Sequence, residues 1–412
     1  MLPLETPEAV VLLEEAVVPE QAVQDGVHRL ADFLERYLPR FYRTEQRELA
    51  CVVIEGRLSN LERKTNEPIA RQARRPRKPV QKFVGAGKWV DADLRSELRD
   101  HVGEVWPDPQ AVLIFDGSAF AKKGDDSCGV ARQWCGRRGK LENCQVGVFA
   151  AYASCCGHTL IDADLYLPED WAQDAQRRQK CHVPPEVVFQ EKWRLALAQW
   201  QRCQTLPHAW VAGDDEFGRV TEFRQELRRG GARYVVDVPC NTLMRDLEGP
   251  RAVGSSGRQK LPPWEQVQAW AARQPASAWK KLTVRAGEKG LLVVRALTRL
   301  VQTKDENGLV GRAERLVVVR PVDRAGDVSY ALSNALSDAP LADLVAVKGT
   351  RGRIEEALQL GKGEVGLGQY EVRSWVGWYH HMTLSLLALW FLSLEKTVVE
   401  KKRRGSRCGN CA

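Results

Sequence analysis

The runs AVLIFDG at residues 111–117 and HAWVAGDD at residues 208–215 decide how this chain folds. Each is a short apolar stretch closed by acid, the pattern of a strand buried on both faces. Asp116 and Asp214 are read as ending their strands. Between them, CQVGVFAAYA (144–153) and HTLIDADLYLP (158–168) read as two more strands joined by Cys155-Cys156-Gly157. A helix follows, in which Phe189, Trp193, Leu197 and Trp200 recur at helical spacing. A second helix puts Phe217, Val220, Phe223 and Leu227 on one face and stops at Gly230-Gly231, before the strand ARYVVDVP (232–239). Strands alternating with helices in this way indicate an α/β core.

On either side the pattern changes. Residues 1–105 read as a helical domain, with apolar residues at helical spacing over 22–42 and 92–102. The core then runs over 106–240. Residues 241–346 form a β-rich insertion: a loop by composition (EGPRAVGSSGRQKLPP, 248–263), then KLTVRA, LLVVRALTRLV, ERLVVVRP and VSYALSNA, with Asn307-Gly308 turning the central pair. The helical pattern returns at Arg351, giving a last core segment over 347–396 and a basic tail over 397–412. Gly361-Lys362-Gly363-Glu364-Val365-Gly366 fits G-x-G-x-x-G but follows a helix instead of a strand, so it reads as a helix stop and not as a dinucleotide loop.

With 412 residues, the chain is long enough for about two to three domains. Its 44% hydrophobic and 28% charged residues are those of a globular protein. The longest apolar stretch, 382–394, is too short to span a bilayer and reads as a buried core helix. The acidic N-terminus lacks the basic region of a signal peptide, and 11 cysteines in no disulfide cadence suit a reducing compartment, so a cytoplasmic protein is expected. Cys408 and Cys411 make half a zinc site at most. The net charge of +8 is unevenly spread. Residues 71–88 carry seven basic residues and no acid, a candidate phosphate-contacting strip that includes Arg74, Arg75, Arg77 and Lys78. Pro76 and Pro79 predict an extended or turning segment there.

Three acids stand out by position: Asp116, Asp214, and Glu355 on the helix RGRIEEALQLGK (351–362). Carboxylates converging at strand ends in an α/β fold can hold two divalent cations, which stabilise the attacking and leaving oxygens of a phosphodiester displacement. Taken singly, each could instead cap a turn or pair with an arginine. Helical geometry puts Arg351, Glu355 and Lys362 within about 40° of one another.

These segments resemble the DDE transposases of bacterial insertion sequences, which have an RNase H-like (retroviral integrase) core. GRLSNLERKTNEPIA (56–70) is similar to the family's N-terminal signature, FDGSAFAKKG with GVARQWCGRRGKLENCQVGV (115–148) to its first-aspartate segment, and GDDEFG (213–218) to its second. The family's Y-x2-R-x3-E-x6-K pattern maps onto Arg351, Glu355 and Lys362. Two positions depart from it: Lys348 stands where the pattern has Tyr, and Asp116-Gly117-Ser118 where the first motif often reads Asp-Asp/Glu-Thr. Glu356 and Glu371 are rivals for the third acid. The resemblance implies an RNase H-like core interrupted by the β-rich insertion, with Asp116, Asp214 and Glu355 as catalytic metal ligands. It implies Mg²⁺ as cofactor, with Mn²⁺ substituting. Arg351, Lys362, Lys122, Lys123, Arg74, Arg75, Arg77 and Lys78 would contact double-stranded DNA. The activity implied is cleavage at terminal inverted repeats and joining of 3′-OH ends to target DNA by a homodimer. A metal-dependent endonuclease without strand transfer and a transposase-derived DNA-binding protein are the alternatives.

Overall fold

The computed structural model describes residues 20–136, 139–251, 260–287, 290–324 and 326–408. The acidic N-terminal stretch, most of the loop at 248–263, and Cys411 lie outside them.

One mixed sheet runs through the molecule. Its strands are β1 (Val112–Ala121), β2 (Ala131–Cys135), β3 (Lys140–Ala153), β4 (His158–Leu165), β5 (Trp210–Gly213), β6 (Arg233–Val238), β7 (Leu243–Asp246), β8 (Glu265–Gln266), β9 (Lys280–Gly287), β10 (Gly290–Lys304), β11 (Val310–Pro321) and β12 (Ser329–Ser333). β4, β3 and β1 pair antiparallel, and β1, β5 and β6 pair parallel. Three antiparallel strands followed by two parallel ones make an RNase H-like core. The strands of the β-rich region are not set apart from it, because β12 pairs with β6 and carries the sheet on into β11 and β10. The turn between β10 and β11 holds Gly308 at φ +82°, a left-handed conformation suited to glycine.

The N-terminal region is helical as expected: α1 (Glu20–Tyr37), α2 (Thr44–Leu58), α3 (Asn66–Gln72), α4 (Arg77–Ala86) and α5 (Asp91–Val105). The expected extended segment at 71–88 is instead the end of α3, a turn and α4. Pro76 is the N-cap of α4 and Pro79 lies in its first turn. A helix tolerates proline there, because the first N–H groups have no intrahelical partner to lose. The basic residues from Arg71 to Lys78 are all exposed.

Between the core strands lie α6 (Lys192–Arg202), α7 (Asp215–Gly218) and α8 (Thr221–Arg229), and after β12 come α9 (Leu341–Thr350), α10 (Gly352–Glu364) and α11 (Trp375–Cys408). Phe189 falls before α6 rather than on it, and the helical pattern begins at Leu341, ahead of the expected Arg351. α11 is buried on every side from Trp378 to Phe391. An all-round apolar helix must be enclosed by protein, and the β4 strand and α2, α4 and α5 enclose it. Among the described residues no helix is long and apolar enough to cross a membrane. The helix also runs through the basic 401–407 stretch, in place of the tail expected there.

A buried ion cluster ties the helical region to the sheet. Asp162 on β4 is wholly enclosed and accepts from Arg95 at 2.6 Å, Arg99 at 3.2 Å and Arg202 at 2.8 Å. Burial alone would raise its carboxyl, but the three guanidinium groups hold it at about 2.

Candidate active site

The parallel ladder between β1 and β5 ends at the pair Phe115 and Gly213. One residue further on each strand stand Asp116 and Asp214. The expectation that β1 stops at Asp116 is not met: it continues to Ala121, because β3 goes on supplying hydrogen bonds, with Phe149 opposite Asp116. It is β5 that stops. The crevice therefore opens beside Asp116 in mid-strand, where its parallel neighbour turns away into α7.

Asp214 is the N-cap of α7, its Oδ1 accepting from the backbone N–H of Glu216 at 3.0 Å and of Phe217 at 3.4 Å. The cap fixes the carboxylate's orientation. Glu216 follows close by, since a side chain at Gly117 would meet its Oε2 at 3.2 Å, and its Oε1 takes an ion pair with Lys192 at 2.5 Å.

The third side of the crevice is α10, which packs on β1. Arg351 is its N-cap residue, bridging Glu355 at 2.8 Å and Asp237 of β6 at 3.1 Å. Lys348 pairs with the other oxygen of Asp237 at 2.5 Å. Further along, Lys362 donates to Ser118 Oγ at 2.7 Å, two residues beyond Asp116 on β1. Thus Arg351, Glu355 and Lys362 line the same edge of the crevice. Glu356 turns instead to Arg353 at 2.7 Å, and Glu371 pairs with Arg63.

Electrostatics set the two aspartates apart from ordinary carboxylates. Burial first, then Asp214 and Glu355 against the opposing Arg351, push the Asp116 carboxyl up to about 7. Asp214 is pushed up to about 6 by burial, then by Glu216 and Asp215, while Phe217 N–H and Arg351 oppose the shift. Two buried carboxylates whose affinity for a proton is raised form a donor set suited to a hard divalent cation. Mg²⁺ is commonly held by one or two carboxylates together with water and phosphate oxygens, which Asp116 and Asp214 can satisfy. Among the described residues no three His, Cys, Asp or Glu side chains come together as a metal cluster, Glu355 being drawn onto Arg351.

The sequence from residue 36 to residue 291 matches the family model described as DDE superfamily endonuclease, which covers more than half of the chain. The chain belongs to this family. No curated protein matches it. DDE endonucleases act on DNA with divalent metal ions, and the matched stretch of this one holds both Asp116 and Asp214, while Glu355 lies beyond it.

The remaining basic candidates of the DDE endonuclease are spread more widely. Lys122 is half-buried, its ammonium 3.2 Å from the centre of the Tyr370 ring and donating to the Tyr370 carbonyl. Burial pushes it down to about 7, against Glu371. Lys123 is exposed in the loop after β1. Arg74, Arg75, Arg77 and Lys78 lie apart on the turn and first residues of α4, with Arg75 3.4 Å from Glu48 and Arg77 3.7 Å from Glu67. Sequence reasoning missed Glu216, Asp237 and the role of Lys348. Asp237 bore the same signal as Asp116, an acid late in an apolar strand. Glu216 was hidden inside GDDEFG behind two neighbouring acids.

Proposed function

We propose that this DDE endonuclease is the transposase of a bacterial insertion sequence. It would bind the element's terminal inverted repeats, hydrolyse a phosphodiester bond at each end, and join the freed 3′-OH to target DNA. The observation that supports this best is the crevice itself: Asp116 and Asp214 side by side, with Arg351, Glu355 and Lys362 presented along one edge by α10.

Divalent cations, taken as Mg²⁺ with Mn²⁺ substituting, would supply activation of the attacking water and charge stabilisation on the phosphate. Asp116 and Asp214 would hold them. Arg351 has a planar fork that matches two phosphate oxygens, so a scissile-strand phosphate would compete with Glu355 for it. Released from Arg351, Glu355 would complete the acidic set. Lys362, on the Ser118 side, would hold the next phosphate. In hydrolysis the water oxygen bonds to phosphorus and the P–O3′ bond breaks, leaving a 3′-OH and a 5′-phosphate. In joining, that 3′-OH attacks a target phosphorus and a target 3′-oxygen departs with the proton. Two ends handled together imply a homodimer on DNA, working in the cytoplasm.

The test is to incubate the purified protein with labelled duplexes from the flanks of its gene, Mg²⁺ or Mn²⁺, and a target plasmid. Products joined to the plasmid are expected. Cleaved but unjoined ends would reduce the function to that of an endonuclease, and a shifted, uncut duplex would leave only DNA binding.

A further inference from the structure

The hairpin of β2 and β3 carries an exposed surface that the crevice does not use. β2 is the end strand of the sheet, and its side chains alternate: Cys135 is buried, while Arg132 and Trp134 are exposed. Cys135 packs inward with Cys144 and Val146 against Ala119 and Tyr166, so the hairpin is anchored on one face. On the outward face Trp134 is 61% exposed, and its cross-strand partner Leu141 is 56% exposed. Arg132, two residues before Trp134 on β2, is exposed on the same face, whereas Lys140 lies opposite Cys135 on the other face and pairs with Glu142 at 3.0 Å. A rigidly backed Trp–Leu pair left in water does nothing for the fold, and the Arg132 guanidinium beside it favours a polyanion whose bases have apolar faces.

Register gives its place relative to the chemistry. Asp116 lies opposite Phe149, and Trp134 lies opposite Leu141, eight residues earlier on the same strand. At about 3.4 Å per residue this is about 27 Å along β3. Stacked base pairs advance by a similar step, so a duplex laid along β1 and β3 from the crevice reaches the hairpin after roughly eight base pairs.

We propose that the outward face of the β2–β3 hairpin is a DNA-contacting platform, with Trp134 stacking on a base or sugar of the bound duplex and Arg132 holding an adjacent phosphate. The inference rests on DNA being the substrate and adds to it a second contact, about eight base pairs from the cut.

The experiment is fluorescence anisotropy of a labelled duplex of about 30 base pairs, roughly three helical turns, with the full-length parent, Trp134→Ala, Trp134→Phe and Arg132→Ala. Trp134→Ala should weaken binding about fivefold to a hundredfold, the range that loss of one base stack gives. Trp134→Phe should stay close to the parent. Trp134→Ala should leave the slope of log K against log salt unchanged, whereas Arg132→Ala should flatten it by about 0.9 for its lost phosphate contact. Because Trp134 is exposed, melting temperatures should not differ. If the parent binds the duplex and Trp134→Ala binds it equally well, the platform is refuted while the DNA reading stands. If the parent itself does not bind duplex, both fall. A Trp134→Ala variant that binds DNA normally but sediments as a smaller species than the parent would reassign the face to contact between copies of this chain.

Discussion

Asp116 concentrates the cost of building this crevice. Its carboxyl is ordinarily ionised above 3.8 and here is pushed up to about 7, mainly by burial. For an acid whose affinity for protons rises on folding, the stabilising contribution is fully present below 3.8 and is lost as pH rises through about 7. The metal-free protein should therefore melt at progressively lower temperature between about pH 4 and pH 7. Asp116→Asn removes the buried charge at constant shape. Its melting temperature should match the parent's near pH 4 and exceed it by a few degrees at pH 8, while cleavage is abolished and DNA binding stays within a few-fold. Mg²⁺ should raise the parent's melting temperature at pH 8 and leave Asp116→Asn unmoved; a Mg²⁺-dependent rise in the variant would place the cation elsewhere. The two aspartates were legible in the sequence because an acid closing an apolar run is rare and local. The pairing of Glu355 with Arg351 was legible too, as an i,i+4 geometry, but not that Asp237 and Lys348 would gather round the same guanidinium. Those contacts join residues far apart in sequence, which no local pattern records.

At the scale of elements, α10 decides whether the site is assembled, and its C-terminal end is fastened from outside the core. Arg57, in the last turn of α2, is wholly buried and donates to the Val365 carbonyl at 3.3 Å, with His381 Nδ1 3.0 Å from its other amino group. Val365 is the C-cap of α10. Lys64 donates to the Arg57 carbonyl at 2.7 Å, so two cations sit between two helix C-termini. Burial pushes the Arg57 guanidinium down to about 9, so its charge is a cost that folding carries at neutral pH. Arg57→Met fills the space without the charge. Its melting temperature should stay close to the parent's, because relief of the unpaired buried charge offsets the hydrogen bonds lost by the Val365 carbonyl and His381. Its cleavage rate should nonetheless fall at least tenfold at saturating DNA, since α10 loses a fastening. Unchanged cleavage would mean that this end of α10 needs no anchor. Sequence reading found α10 and its charged face but misjudged the helices nearby for physical reasons. Pro76 and Pro79 read as breakers in sequence although a first turn accepts them, and α9 is hard to read because Val345, Val347 and Gly349 are weak helix formers that tertiary packing overrides.

For the whole molecule, the question is how a helical region carrying the basic strip is held rigidly to a sheet carrying the acids. Neutralising Arg74, Arg75, Arg77 and Lys78 together should flatten the salt dependence of DNA binding by roughly 0.9 per lost contact, and an unchanged slope would return the strip to ordinary surface. Sequence alone showed the strands of residues 241–346 by their composition, but not that β12 would dock on β6 and extend the core sheet, since strand order depends on pairing between distant segments. It gave no sign of the joint between the two regions, where Asp162 takes Arg95 and Arg99 from α5 and Arg202 from α6. Removing the carboxylate leaves Asp91 and Asp164 to offset three arginines, two of them almost wholly enclosed. Asp162→Ala should cost about 3–5 kcal/mol, the range for breaking a buried ion network by deleting one partner. Asp162 is held at about 2 against an ordinary 3.8, so its contribution is present above 3.8 and is lost as pH falls through about 2. The parent should therefore lose stability steeply in that acid window, and Asp162→Ala should lose less there because its loss has already occurred. Chemical denaturation of both proteins at pH 7 and pH 3 measures the difference. Equal stability of the two at pH 7 would show that the arginines find other partners and that the apolar surface of α11, not the ion cluster, holds the helical region to the core.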